Sequence, residues 1–185
     1  MHATPDTASL FKPLADFYTG RALPEIRFIE AARIPRVYRA LLDHSKDMTS
    51  TLQRFHNEEI RVHVLESRQD NNCYERKVLL VTRHTRRTVE FGAIEILLDP
   101  FPIGVQREIL RAEMPLGAIL QSFHIEYKSK PRAFFEIESD DAMNTALTLP
   151  DTQTLYGRCN EIRNSAGWIL AEIVEILPPA LHQNV

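Results

Sequence analysis

Two charged residues stand inside otherwise apolar stretches and are the first candidates for chemistry. Arg76 precedes the run Val78-Leu79-Leu80-Val81, and Glu172 lies within Trp168-Ile169-Leu170-Ala171-Glu172-Ile173-Val174. A guanidinium in such surroundings needs an anionic or polar partner. A carboxylate there is costly unless paired or used, because desolvation disfavours its charged form. One arrangement is structural: a buried Arg76–Glu172 salt bridge, or two residues on the wet face of a sheet. The other is a site in which Arg76 anchors an anion and Glu172 carries a proton. Glu175, three positions on, faces oppositely in a regular strand and is expected to be the solvated one. Met48-Thr49 and Pro115-Leu116-Gly117 each precede a helical pattern, where free N–H groups and the helix dipole either favour a carboxylate or are simply capped.

The elements that must position these residues follow from periodicity. Residues 1–34 mix Pro5, Pro13 and Pro24 with short apolar stretches and read as an arm with one helical turn. After Pro35, Val37, Tyr38, Leu41 and Leu42 fall on one helical face. Asp47 or Thr49 caps a second helix that buries Leu52 and Phe55. The period then switches to two: Ile60, Val62 and Val64 alternate with Arg61, His63 and Leu65. Strands over 74–82 and 89–98 follow across short polar turns. Residues 103–110 read as a helix, and a short helix continues to Leu120. A long strand over 123–138 is bent near Pro131, since proline cannot donate to a central ladder. Residues 139–150 read as a loop. Asn164-Ser165-Ala166-Gly167 turns a hairpin between strands over 155–162 and 168–177. The sum is α+β: a single six-stranded antiparallel sheet with helices packed on one face. It predicts an N-terminal arm (1–34), one domain (35–178) and a C-terminal tail (179–185).

Composition narrows the function classes. The chain has 185 residues, 22 Lys+Arg against 25 Asp+Glu, and a formal charge of −3. That balance argues against a nucleic-acid binder, which usually carries a basic excess. No apolar run approaches membrane-spanning length, and Met1 to Phe11 shows no secretory pattern, so a cytoplasmic location is expected. Cys73 and Cys159 form no CxxC and read as reduced thiols. None of the 7 histidines falls in a zinc-binding spacing, and no Gly-rich phosphate loop or nucleophile elbow is present. The expectation is no cofactor, no metal, no nucleic acid and no membrane, with a small-molecule partner and a monomer or small homo-oligomer.

Several of these segments come in a recognisable order. Asp47-Met48-Thr49 with Phe55 downstream, Arg76 before an apolar strand, and Pro115-Leu116-Gly117 with Ile119-Leu120 are followed by two more. These are Leu155-Tyr156-Gly157-Arg158 and Leu170-Ala171-Glu172 before Leu177-Pro178. The order resembles the chorismate lyase (chorismate pyruvate-lyase) family, and Glu90-Phe91-Gly92 resembles its branch with an EFG motif in the third strand. The resemblance spans about residues 35–178. It implies the antiparallel fold just described and a cofactor-independent elimination of pyruvate from chorismate to leave 4-hydroxybenzoate. It places Met48, Arg76, Leu116 and Glu172 around the aromatic acid, with Arg76 and Glu172 catalytic. Arg76 pairs with a carboxylate, and Glu172, its pKa raised by burial, acts as acid/base. The sequence departs from the ubiquinone-pathway members at Ala93, where they carry an arginine after the glycine, and at Cys159, where they have a basic residue. Arg158 or Arg36 would have to supply the second cation. The alternative is a non-catalytic module of the same fold that binds or senses an aromatic carboxylate, as in the effector domains of a class of bacterial transcription regulators. The roughly 35 residues before Pro35 are too few for a winged-helix DNA-binding domain, which favours the enzyme.

Overall fold

A computed structural model of the chain describes residues 7–70 and 72–179. Its centre is one antiparallel sheet of seven strands: β1 (Ile26–Ile29), β2 (Ile60–Gln69), β3 (Cys73–Thr82), β4 (Thr88–Leu97), β5 (Tyr127–Glu138), β6 (Thr154–Asn164) and β7 (Ile169–Leu177). The spatial order is β1-β5-β6-β7-β4-β3-β2. Six α-helices accompany it: α1 (Thr7–Ala15), α2 (Arg36–Leu42), α3 (Met48–His56), α4 (Ile103–Arg111), α5 (Leu116–Ser122) and α6 (Asp141–Leu147). The α+β class and the antiparallel sheet expected from periodicity are both present.

Three details differ from expectation. A seventh strand, β1, pairs along the end of β5, with Phe28 opposite Phe135. The helices cover both faces rather than one. Successive strand residues point to opposite faces, and the core divides accordingly. Leu79, Phe91 and Val174 pack with Phe11 and Leu14 of α1 and Met143 and Leu147 of α6. Leu80 packs with α2 and α3 residues, and Ile94 and Ile96 pack with α4 and α5 residues. Helix α1 is therefore part of the same core, since Phe11 and Leu14 are fully buried. Pro13 lies inside α1, which is why that stretch reads as an arm: a proline removes a helix bond and usually ends the pattern. Finally, the expected loop at 139–150 contains α6, whose start is capped by the Asp140 carboxylate accepting from the Met143 N–H at 2.8 Å. Of the expected tail at 179–185, only Pro179 falls among the described residues.

Pro131 sits on the stretch of β5 beyond the end of β1, opposite Asn160 of β6, and a register shift follows between it and Ala133. Cys73 and Cys159 are free thiols, Cys159 buried. Among the described residues no helix is long and apolar enough to cross a membrane.

Candidate functional site

Between the sheet and α3 and α5 lies a cavity of about 70 Å³, several times the ~10–15 Å³ that one water requires. Strands β3, β4, β6 and β7 supply its floor and the first turns of the two helices its roof. Met48, Arg76 and Leu116 line it. Asp47 caps α3 by accepting from the Ser50 N–H at 2.8 Å and the Ser50 hydroxyl at 2.7 Å. Pro115 precedes α5 without a side-chain cap. Gly117 lets the helices meet closely, since a Cβ there would lie 3.2 Å from the Asp47 side chain.

Arg76 is 2% exposed. Its Nη2 donates to the Met114 carbonyl at 3.2 Å, while Nε and Nη1 are buried without a partner. Burial pulls its pKa below the ordinary value, yet a guanidinium keeps its charge in a protein. The result is a desolvated cation with two idle donors on a cavity wall. Leaving such donors unmet costs far more than a typical surface interaction gains.

Glu172 does not join it. Glu172 shares the face of Val174 and Ile176, which pack towards α1. It stands in register between Glu95 of β4 and Glu161 of β6. The cavity-facing carboxylate of β7 is instead Glu175, 3% exposed. The opposite parity of the two glutamates is a local property of the strand; which parity meets the cavity depends on the register against β4, where Gly92 opposes Glu175. The expectation that Glu175 is solvated is thus reversed. Glu175 is neutralised by Arg158, directly opposite on β6 and fully buried. Arg158 also donates through Nη1 to the carbonyls of Leu42 at 2.9 Å and His44 at 3.0 Å. These bonds occupy Arg158 as a structural cation, and Arg36 is exposed on α2. Neither serves as a free second anchor.

A fourth ionisable group carries no sequence signal beyond its place in Glu90-Phe91-Gly92. Glu90 is 4% exposed, lines the cavity, and leaves Oε2 buried without a partner. Burial first, then the Glu175 charge, holds its carboxyl well above the usual carboxylate range against the pull of Arg158. Gly92 makes room for it: a Cβ at Gly92 would lie 3.0 Å from Glu90 Oε1 and 2.8 Å from the Val174 carbonyl.

On the opposite face, Cys73, Glu75 and Glu95 bring one potential ligand atom each within 4.8 Å of one another. Lys12 stands among them with its ammonium on Glu95 and 3.6 Å from Glu75, so a lysine already supplies the positive charge there.

No protein-family model and no curated protein sequence matches the chain. Solved structures do match its fold. PhnF from Mycobacterium smegmatis aligns over 91% of this chain and 93% of its own, at 10% identity and TM-score 0.56. The effector domain of the same protein aligns over 71% and 87%, at 11% identity and TM-score 0.54. YydK from Bacillus subtilis, described as a possible transcriptional regulator, aligns over 71% of this chain and 61% of its own, at 9% identity and TM-score 0.53. At such identities the likeness is one of fold alone. The expectation of a chorismate pyruvate-lyase is thereby corrected. These structures are described as an effector domain and as a possible transcriptional regulator, not as a lyase, and the carboxylate assigned to acid/base work, Glu172, lies across the sheet from the cavity.

Proposed function

We propose that the chain is a non-catalytic domain that binds a small carboxylate, aromatic or of similar size, in the cavity between the sheet and α3 and α5. The observation that carries this reading is Arg76: a buried guanidinium with two unpartnered donors on the wall of a mostly apolar pocket. A carboxylate is the group that meets such a cation best, through charge-assisted hydrogen bonds to its open N–H groups. Apolar neighbours such as Val78, Ile94 and Ile162 would flank the body of the ligand, the usual construction of a small-molecule site with a few fixing polar groups. The likeness in fold to a structure described as an effector domain agrees with sensing as the role. Met48 and Leu116 serve as apolar walls, and Glu172 takes no part.

Benzoate is the probe. Titrated into the protein, it is expected to raise the unfolding temperature saturably, as any ligand that binds only the folded state does. Arg76→Met is expected to abolish that rise while leaving a folded protein. Stabilisation by benzoate that survives in Arg76→Met would sink the assignment, as would its absence in the unaltered protein.

A further inference from the structure

The carboxylate reading uses Arg76 and leaves Glu90 unexplained. The two share one cavity and carry opposite formal charges, yet they do not pair, and each keeps a buried polar atom unmet. Their spacing follows from the strand register. Glu90 leans over Gly92, which stands opposite Val78 on β3 and Glu175 on β7. Arg76 lies two residues farther along β3, opposite Ile94. The backbone positions of Glu90, opposite Leu80, and Arg76 are thus four strand residues apart, ~13 Å, a span that Glu90 shortens by leaning over Gly92 and that leaves room for a substituted ring.

We propose that the cavity takes a zwitterionic ligand, an acid anchored on Arg76 whose ammonium group, about one ring's length away, is received by the carboxyl of Glu90. This rests on the carboxylate reading above and adds the second end of the ligand.

The charges around Glu90 come from every strand beneath it. Glu175 on β7 and Arg158 on β6 cancel each other, Arg76 on β3 stands at the far end, and Asp47 on α3 borders the roof. An empty cavity keeps Glu90 as the neutral acid, because burial above all, with Glu175 set against the pull of Arg158, disfavours its anion. An arriving ammonium replaces that proton: the proton leaves for solvent, Glu90 becomes the carboxylate, and the local charge is unchanged. A neutral apolar end offers Glu90 nothing, and an anionic end meets Glu175.

Calorimetric titration with three probes tests this at neutral pH: benzoate, 4-methylbenzoate and 4-(aminomethyl)benzoate. The expected result is that 4-(aminomethyl)benzoate binds about tenfold or more tighter than 4-methylbenzoate. Its binding should release about one proton, read from the heats in two buffers of different ionisation enthalpy. Glu90→Gln keeps the shape of the side chain and should erase both the preference and the proton release. Retained binding of 4-methylbenzoate shows that this variant is folded. Equal or tighter binding of 4-methylbenzoate in the unaltered protein, or binding of the zwitterion without proton release, would overturn the assignment of Glu90 and leave the Arg76 site standing. Failure of all three acids to bind would overturn the carboxylate reading, and this inference with it.

Discussion

The two faces of the sheet treat buried charge in opposite ways. On the α1 face the most deeply buried acid has been given cations. Glu161, 2% exposed, meets Arg163 at 2.6 Å and also Arg132; the two arginines outweigh the cost of burial and hold its carboxyl below the usual range. Glu95 has Lys12. On the cavity face only half of the charge is settled. Arg158 and Glu175 lock together, with backbone carbonyls of the α2–α3 connection completing the arginine, whereas Arg76 and Glu90 are left open. Both faces lie under helices, so coverage alone does not explain the difference. Pairing marks where the fold uses charge for itself, and its absence marks where charge is held ready for something else.

Four substitutions would break or sharpen that contrast. The largest effect is expected from Arg158→Ala, which leaves Glu175 buried beside Glu90 without its cation. Removing one partner of a buried pair costs about 3–5 kcal/mol, so the urea midpoint should fall sharply or the protein should fail to fold. Arg76→Met should act in the other direction. It removes an unmet buried charge and fills the space with an apolar chain, so the ligand-free protein should gain ~1–3 kcal/mol in urea unfolding. A loss of stability would mean that Arg76 is structurally paired and the contrast is mistaken.

Glu90→Gln is expected to have a smaller effect, and one that depends on pH. The folded-state pKa of Glu90 is raised, so above the ordinary carboxylate range the folded protein holds a proton that the unfolded chain releases. Stability from this group is therefore full at acid pH and falls as pH rises. Relative to the unaltered protein, Glu90→Gln should look more stable at neutral pH than at pH near the ordinary carboxylate value. A difference that does not change with pH would refute the raised pKa. The smallest effect belongs to Glu172→Gln, on the other face: a change within about 0.5 kcal/mol and unaltered benzoate binding. Loss of benzoate binding in that variant would return Glu172 to the site.

Much of this organisation is legible in the amino-acid sequence. The switch from helical to two-residue periodicity at Ile60, the polar turns and the Asn164–Gly167 hairpin signal place β2, β3, β4, β6 and β7 close to their observed bounds. The reason is that alternation in a half-buried sheet is a local requirement. Arg76 is legible too, because a guanidinium beside four apolar residues is conspicuous whatever surrounds it in space. Less legible are α1, where Pro13 interrupts an otherwise amphipathic run, and β1, whose four residues form a strand only because the end of β5 offers an edge. The loop expected at 139–150 hides α6, although Asp140 followed by Met143 and Leu147 carries a cap and an i,i+4 apolar pair.

The site divides along the same line. Sequence alone determined that an arginine stands beside an apolar run, that Gly92 lies two residues after a glutamate, and that Glu172 and Glu175 face opposite ways, because each of these is a property of neighbouring residues on one strand. Only the tertiary structure decided which of the two glutamates meets Arg76's cavity, that Arg158 is consumed by Glu175, and that Glu90 remains open. Those outcomes turn on register between strands distant in the chain, where a shift of one residue exchanges every side chain between the two faces.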